Sequence, residues 1–249
     1  EERKEIRMGK QTWKAGNMLY PLPAVMVSVR GKNGEDNIIT VAWAGTVCTN
    51  PPMVSISVRP ERYSYQMIKE SGAFVINLTT EDLCYATDYC GVRSGRDVDK
   101  FKEMHLTPLA SREVSVPGIA ESPVNIECRV RQITPLGSHN LILADVVAVT
   151  IDDAYMDEAG KFHLNDTGLI TYSHGEYFLL GKKLGTFGYS VRKDTPGKRS
   201  NSLKGDDRKK KSRKNKSFPQ KPSRVKEKLP GQKGILQQKN MKTDQNNFR

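Results

Sequence analysis

The residues best suited to chemistry lie between Asn37 and Leu78, in the string NIITVAWAGTVCTNPPMVSISVRPERYSYQMIKESGAFVINL. Ala44-Gly45-Thr46 closes an apolar run, and Cys48-Thr49 precedes a corner at Asn50-Pro51-Pro52. Peptide groups and hydroxyls at such a sheet margin can contact a flat polar ligand. The prolines, with fixed φ and no N–H, belong outside a strand interior and hold the peptides before them in one orientation. Arg59 and Arg62 then flank Pro60, and Ser64-Tyr65 opens a short helix. Guanidinium groups beside helix-start amides and hydroxyls suit a phosphate, although an ordinary capped surface helix has the same composition. Farther on, Ser94-Gly-Arg-Asp-Val-Asp-Lys-Phe101 has a Gly/Ser mouth and a charged run, which suits a loop closing over a ligand. Asp97 and Asp99 fit capping and pairing with Arg96 or Lys100 better than acid–base work.

The elements that must position these groups are mostly strands. β-branched enrichment and turn punctuation predict strands over Asn37 to Ala44, Met53 to Val58 and Ala73 to Leu78, with a helix from about Arg62 to Glu70. Pro23 to Arg30 forms a hairpin with the first of these through the turn-rich Gly31 to Asp36. Thr79 or Thr80 can cap a helix from Glu81 to about Tyr89, which Gly91 would end. Residues 103 to 123 read as an irregular, proline-punctuated connection. Val124 to Ile133 alternates Ile126, Cys128 and Val130 with Glu127, Arg129 and Arg131, the pattern of a sheet wet on one face. Asn140 to Ile151 is nearly apolar and should be central, joined to the preceding strand by Gly137-Ser138-His139. Two short apolar pieces, Leu169 to Tyr172 and Tyr177 to Leu180, follow a polar excursion. Antiparallel strands with few helices point to a mainly β closed barrel, and no G-x-G-x-x-G joins a strand to a helix, so a Rossmann site is not expected.

Charge divides the chain. The whole carries +12, from 40 Lys+Arg against 28 Asp+Glu, yet residues 194–249 hold 18 basic and 5 acidic side chains, a net of +13 that leaves residues 1–193 at −1. That tail has two aromatics, Phe218 and Phe248, and too little apolar area to offset ordering entropy, which predicts disorder. A weak, non-specific attraction to polyanions is the activity such a tail suits. Residues 1–7, EERKEIR, read as a leader or added segment, and residues 8–193 as the folded domain. Cys48, Cys84, Cys90 and Cys128 form no C-x-x-C pair and the histidines are scattered, so no metal cluster is written. No run approaches a membrane span and the first residues are charged, so a reducing cytoplasm is the default.

Four strings carry a resemblance: TVAWAGTVCTNPPMVSISVRPERYSYQMIKESGAFVINL, CGVRSGRDVDKF from Cys90, GSHNLILADVVAV from Gly137 and LGKKLGTFGYSVRK from Leu180. In this order, from roughly Met8 to Lys193, they resemble the flavin reductase-like family in its flavoredoxin-type branch. The resemblance implies an FMN-binding split β-barrel, antiparallel and Greek-key-like with short flanking helices, working as a homodimer. It implies FMN as cofactor and NADH or NADPH as donor; the alternative is an electron carrier reduced by a redox partner protein. Ala44, Gly45, Thr46, Cys48 and Thr49 would contact the isoalloxazine edge, and Arg59, Arg62, Ser64 with Tyr65, Ser94 and Lys100 would surround the phosphate. Asn77 would order the ribityl chain or the corner loop, with a β-bulge role as the other reading. His139 stands where the family often has G-D-H, near the flavin, and would contact the donor; here Ser138 replaces the middle Asp, and a solvated turn histidine is the alternative. The family ends near GYSVRK, so the resemblance does not reach the basic tail.

Overall fold

The computed structural model describes residues 9–191, and the chain divides into a compact unit Glu1–Gly185 and a second, Thr186–Arg249. The leader at 1–7 and the basic tail from 194 lie outside the described residues. The elements are β1 (Leu22–Pro23), β2 (Val25–Arg30), β3 (Asp36–Val41), β4 (Ala44–Thr49), β5 (Pro52–Val58), α1 (Tyr63–Ser71), β6 (Ala73–Leu78), α2 (Cys84–Val92), α3 (Lys100–Glu103), β7 (Pro108–Leu109), β8 (Gly118–Ile119), β9 (Val124–Pro135), β10 (Asn140–Ile151), β11 (Ile170–Ser173) and β12 (Glu176–Leu179). None of these helices is long and apolar enough to cross a membrane. The fold is mainly β with short flanking helices, as the sequence predicts.

Seven strands form one antiparallel sheet in the order β3-β2-β6-β9-β10-β5-β4. Its two edge strands, β3 and β4, are joined in the chain by Ala42 and Trp43 alone. So short a link reaches at most about 10 Å, and the sheet must curl until its edges meet. Among the described residues no ladder joins these edges, and the bond from Ser57 N to Trp43 O at 2.8 Å carries the β4–β5 pairing one step into the link. The barrel is therefore closed by the chain and split in its hydrogen bonding. A small sheet, β1-β11-β12, and the paired β7-β8 complete the strands.

Period-2 alternation sorts the side chains. Val25, Val27, Val29, Ile39, Val41, Phe74 and Ile76 fill the barrel, where Met67 and Ile68 of α1 join them. Met26 and Ile38 point the other way, into a second core under α2 and α3 with Leu83, Ala86, Cys90 and Phe101. β2 and β6 are thus apolar on both faces because both are covered. α1 ends at Gly72, whose φ of 67° lets its N–H reach Ile68 O. α2 lies against β3 at Gly91, where a Cβ would come within 3.2 Å of Thr40 Cβ. Gly91 accordingly sits inside α2 rather than ending it. The helix also begins later than expected, with Leu83 at the N-cap, because Thr79 Oγ1 donates to Ala24 O and Thr80 bridges to Leu169. Asp99 caps α3 by accepting from Lys102 N at 3.1 Å.

Three polar residues are built into the fold where the sequence pattern placed them in water or at a ligand. Glu127, expected on the wet face of β9, is buried, and its carboxylate accepts from the N–H groups of Arg112, Glu113 and Val114 at 2.9, 2.7 and 3.2 Å. The connection after α3 covers that face. Asn77 is fully buried; its Nδ2 donates to Met26 O, Ser28 Oγ and Val75 O while Oδ1 accepts from Ile119 N and Asn125 Nδ2. With its amide engaged in pinning β8 to the sheet, Asn77 is not available to a ribityl chain. Lys100 is 3% exposed and donates to Ile38 O at 2.7 Å and Cys90 O at 2.8 Å, so its ammonium ties the end of α2 to β3 instead of meeting a phosphate.

Glu127→Ala leaves three backbone donors without an acceptor and should cost about 3 kcal/mol or more, read as a lower denaturant midpoint at unchanged slope. Lys100 gives a pH signature. Burial, with the Arg62 charge adding to it and Cys90 opposing, pushes the ammonium down to about 8, against about 10.4 in an unfolded chain. Between those values the unfolded state binds more protons, so stability rises with pH across that window and is flat for this group below it. Denaturation of the parent and of Lys100→Met at pH 8, 9 and 10 should show this rise in the parent and lose it in the variant.

Candidate functional site

The site is assembled where β5 leaves the sheet. Val58, its last residue, pairs with Asn140 at the start of β10. The chain then turns through Arg59 to Arg62, with Arg62 N donating to Arg59 O at 3.1 Å, into α1. Arg62 is the N-cap in extended conformation (φ −67°, ψ 136°), makes no side-chain cap, and no acidic residue occupies the first turn. Among the described residues the first amides of α1 therefore meet no side-chain acceptor, and they carry the positive end of the helix dipole. Arg62 is exposed and Arg59 half-exposed; the only ion pair at Arg59 is a loose 3.6 Å approach to Glu61 among the described residues, which in solvent holds the guanidinium weakly.

Around this start the structure gathers more of the expected residues. Ser64 is buried and its Oγ accepts from Asn37 Nδ2 at 2.9 Å, so its hydroxyl orients the helix start and is not at the surface for a phosphate. Tyr65 is half-buried with its OH accepting from Asn140 Nδ2 at 2.6 Å, which locks α1 to β10. The loop before α3 is docked on the same network: a Cβ at Gly95 would fall 2.3 Å from Asn37 Oδ1, so only glycine permits the approach. That docking sets Ser94, whose Oγ accepts from Arg96 N at 3.2 Å, and Arg96, whose guanidinium lies 5.4 Å over the Tyr63 ring, beside the first turn of α1. Arg96 was expected only as a partner for Asp97 or Asp99; its signal was the Gly before it, which lets the loop dock so closely.

The other half of the site is β4. The sequence predicts a strand ending at Ala44 and a Gly/Cys/Thr/Asn/Pro-Pro corner before Met53; instead Ala44–Thr49 is a strand of its own, paired with β5 and, among the described residues, with no strand on its other side. Gly45, Thr46 and Thr49 are exposed, Ala44 and Cys48 half-buried. A register shift between Thr46 and Cys48 makes Val47 a bulge residue and turns the strand. Ala44 faces Ile56 and Thr49 faces Pro52, so β4 runs along β5 away from Arg59. The length of β5 puts Cys48 and Thr49 roughly 20 Å from the arginine end. A row of free peptide groups and a cationic helix start thus occupy one sheet margin, spaced for a ligand with a flat polar body and an anionic arm.

His139 stands at the arginine end, near Ala44 rather than Cys48. Its imidazole centroid lies 4.3 Å from the Trp43 ring, and its Nδ1 lies 3.0 Å from Ser138 Oγ. Burial, then the Arg59 charge and that of Arg62, lower its pKa, with Glu61 opposing, which favours the neutral ring. Trp43 was not among the expected site residues, although an indole between two alanines just before Gly45 marks an aromatic at the sheet margin. A separate cleft of about 530 Å³ opens between Glu35, Asp36 and the loop Gly95 to Asp99. Its carboxylates, Glu35, Asp36, Asp97 and Asp99, outnumber its one cation, Arg96, and disfavour a phosphate, and neither Arg59 nor Arg62 lines it.

Comparison with known proteins agrees with this architecture. Residues 17–179 match the flavin reductase like domain family. An uncharacterized protein of Archaeoglobus fulgidus is 32% identical over 160 residues, 64% of this chain and 88% of its own length. Among solved structures, the flavoredoxin of Desulfovibrio vulgaris (Miyazaki F) superposes with a TM-score of 0.69 at 28% identity, covering 74% of this chain and all of its own. The flavoredoxin of Methanosarcina acetivorans gives 0.66 at 25% identity over 73% of this chain and 97% of that one. A match spanning most of the chain, over the same strands that build the split barrel, means that the chain belongs to the flavin reductase-like domain family.

Proposed function

We propose that the chain is an FMN-dependent oxidoreductase that takes electrons from NADH or NADPH. The observation that carries this reading is the pairing of an uncapped α1 start, flanked by Arg59 and Arg62, with the unpaired edge of β4. Membership of the flavin reductase like domain family supports it. When bound, FMN would supply the two-electron chemistry; the protein's task is placement. Arg59, Arg62 and the first amides of α1 hold the phosphate through charge-assisted hydrogen bonds. Peptide groups of Ala44, Gly45, Thr46, Cys48 and Thr49 orient the ring edge, where donors favour developing negative charge. Neutral His139 offers a hydrogen bond to the electron donor without adding a cation. A second copy of the chain covers the β4 margin, which otherwise leaves an exposed strand edge.

Reduction by a protein partner in place of a nicotinamide is the second reading, favoured by the flavoredoxin likeness. Anaerobic mixing of the FMN-loaded protein with each nicotinamide separates the two. The visible flavin band should bleach within seconds with NADH or NADPH. A stable band with both donors would instead support the carrier, and failure to acquire any flavin band would overturn the FMN assignment.

A further inference from the structure

Trp43 is one of the two residues that join the edge strands, and its main chain is fixed by the bond from Ser57 N to its carbonyl. Its indole is 39% exposed, so the ring lies in the wall of the margin with one side open. The other side meets His139, the planes inclined by 51°. The imidazole is thereby held twice, by the indole on its face and by Ser138 Oγ at Nδ1, and no bond among the described residues engages its Nε2. Two contacts on a side chain with two rotatable bonds leave one orientation. The charged groups acting on the ring come from the turn between β5 and α1: Arg59 and Arg62, with Glu61 of opposite sign.

We propose that Trp43 is a positioning residue for His139, fixing the imidazole against the sheet margin so that Nε2 is the atom presented to the electron donor at the Ala44 end of that margin. The donor's part in this rests on the function proposed above; the pairing of the two rings does not. The link between β3 and β4 then has two duties, closing the barrel and orienting the group nearest the donor. A phenyl ring at position 43 can fill the first duty and most of the second, whereas a methyl group can fill only the first.

Trp43 also reports on the pair. The chain has one other tryptophan, the exposed Trp13, and in Trp13→Phe protein the emission comes from Trp43 alone. Protonated imidazole in contact with an indole quenches its fluorescence by accepting an electron from the excited ring. Emission of the full-length Trp13→Phe protein should therefore fall on acidification with a midpoint below the ordinary imidazole value of about 6.5. Arg59→Gln should move that midpoint up, because a like charge is removed, and His139→Asn should abolish the titration. Emission that titrates identically with Asn at 139, or does not titrate at all, overturns the pairing whatever the donor proves to be. If the emission titrates as stated but neither nicotinamide bleaches the flavin, the pairing stands and the reductase reading falls. Where a nicotinamide does reduce the flavin, Trp43→Ala should raise its KM at least fivefold with kcat little changed, and Trp43→Phe should restore KM to within about twofold. A Trp43→Ala protein that binds the donor as the parent does would overturn the positioning role.

Discussion

The structure depends on a length constraint: β3 and β4 stand at opposite ends of a seven-strand ladder but are separated in the chain by Ala42 and Trp43. A flat or gently twisted sheet could not satisfy it, since seven strands at about 4.8 Å spacing would put the edges far beyond the reach of that link. The sheet must roll up, and rolling up makes the interior that Val25, Val27, Phe74 and Ile76 fill. It also leaves one seam without a ladder. The seam is where β4 keeps a row of unpaired peptide groups, and where the turn after β5 brings two guanidinium groups. Fold and site therefore share a single cause.

The connections are held by buried polar groups rather than by apolar packing alone. Glu127 gathers three amides of the loop after β7, Asn77 fastens β8 to the sheet while bonding Asn125 of the neighbouring strand, and Lys100 donates to carbonyls of β3 and α2. Each is satisfied by hydrogen bonds, all to the main chain for Glu127 and Lys100 and in part to side chains for Asn77, which is what allows it to be buried at tolerable cost. The same residues resist substitution by apolar ones, because a partner left behind becomes an unpaired buried donor or acceptor. Rigid connections matter here because the loop carrying Ser94 and Arg96 contributes to the site only while Gly95 stays docked on Asn37.

The interior strands of the sheet are legible because their faces are apolar or alternating: β2, β6, β9 and β10 stand close to where β-branched runs put them. β4 was not, since an edge strand with Gly, Thr and Cys has the composition of a corner, and its pairing depends on distant residues of β5. Glu127 was assigned to solvent because alternation says which side a residue faces, not what covers that side. Arg59 and Arg62 could be read as an anion site from local spacing, and the uncapped α1 start agrees with that chemistry. Lys100 and Asn77 could not be separated from the site by type alone. Whether an ammonium or amide meets a ligand or a carbonyl is decided by burial, which arises from elements far apart in the chain. The Trp43–His139 contact likewise joins a link before β4 to a turn before β10.

With a phosphate at one end of the margin and a flat ring along the rest, the two parts of FMN should respond differently to change at Arg59. Binding of FMN and of riboflavin, which lacks the phosphate, measured by quenching of flavin fluorescence on the parent and on Arg59→Ala, tests this directly. Loss of a charge-assisted contact worth about 1.5 to 3 kcal/mol should weaken FMN roughly tenfold or more and leave riboflavin unchanged. Equal weakening of both ligands, or no weakening of FMN, would contradict a phosphate site at the start of α1.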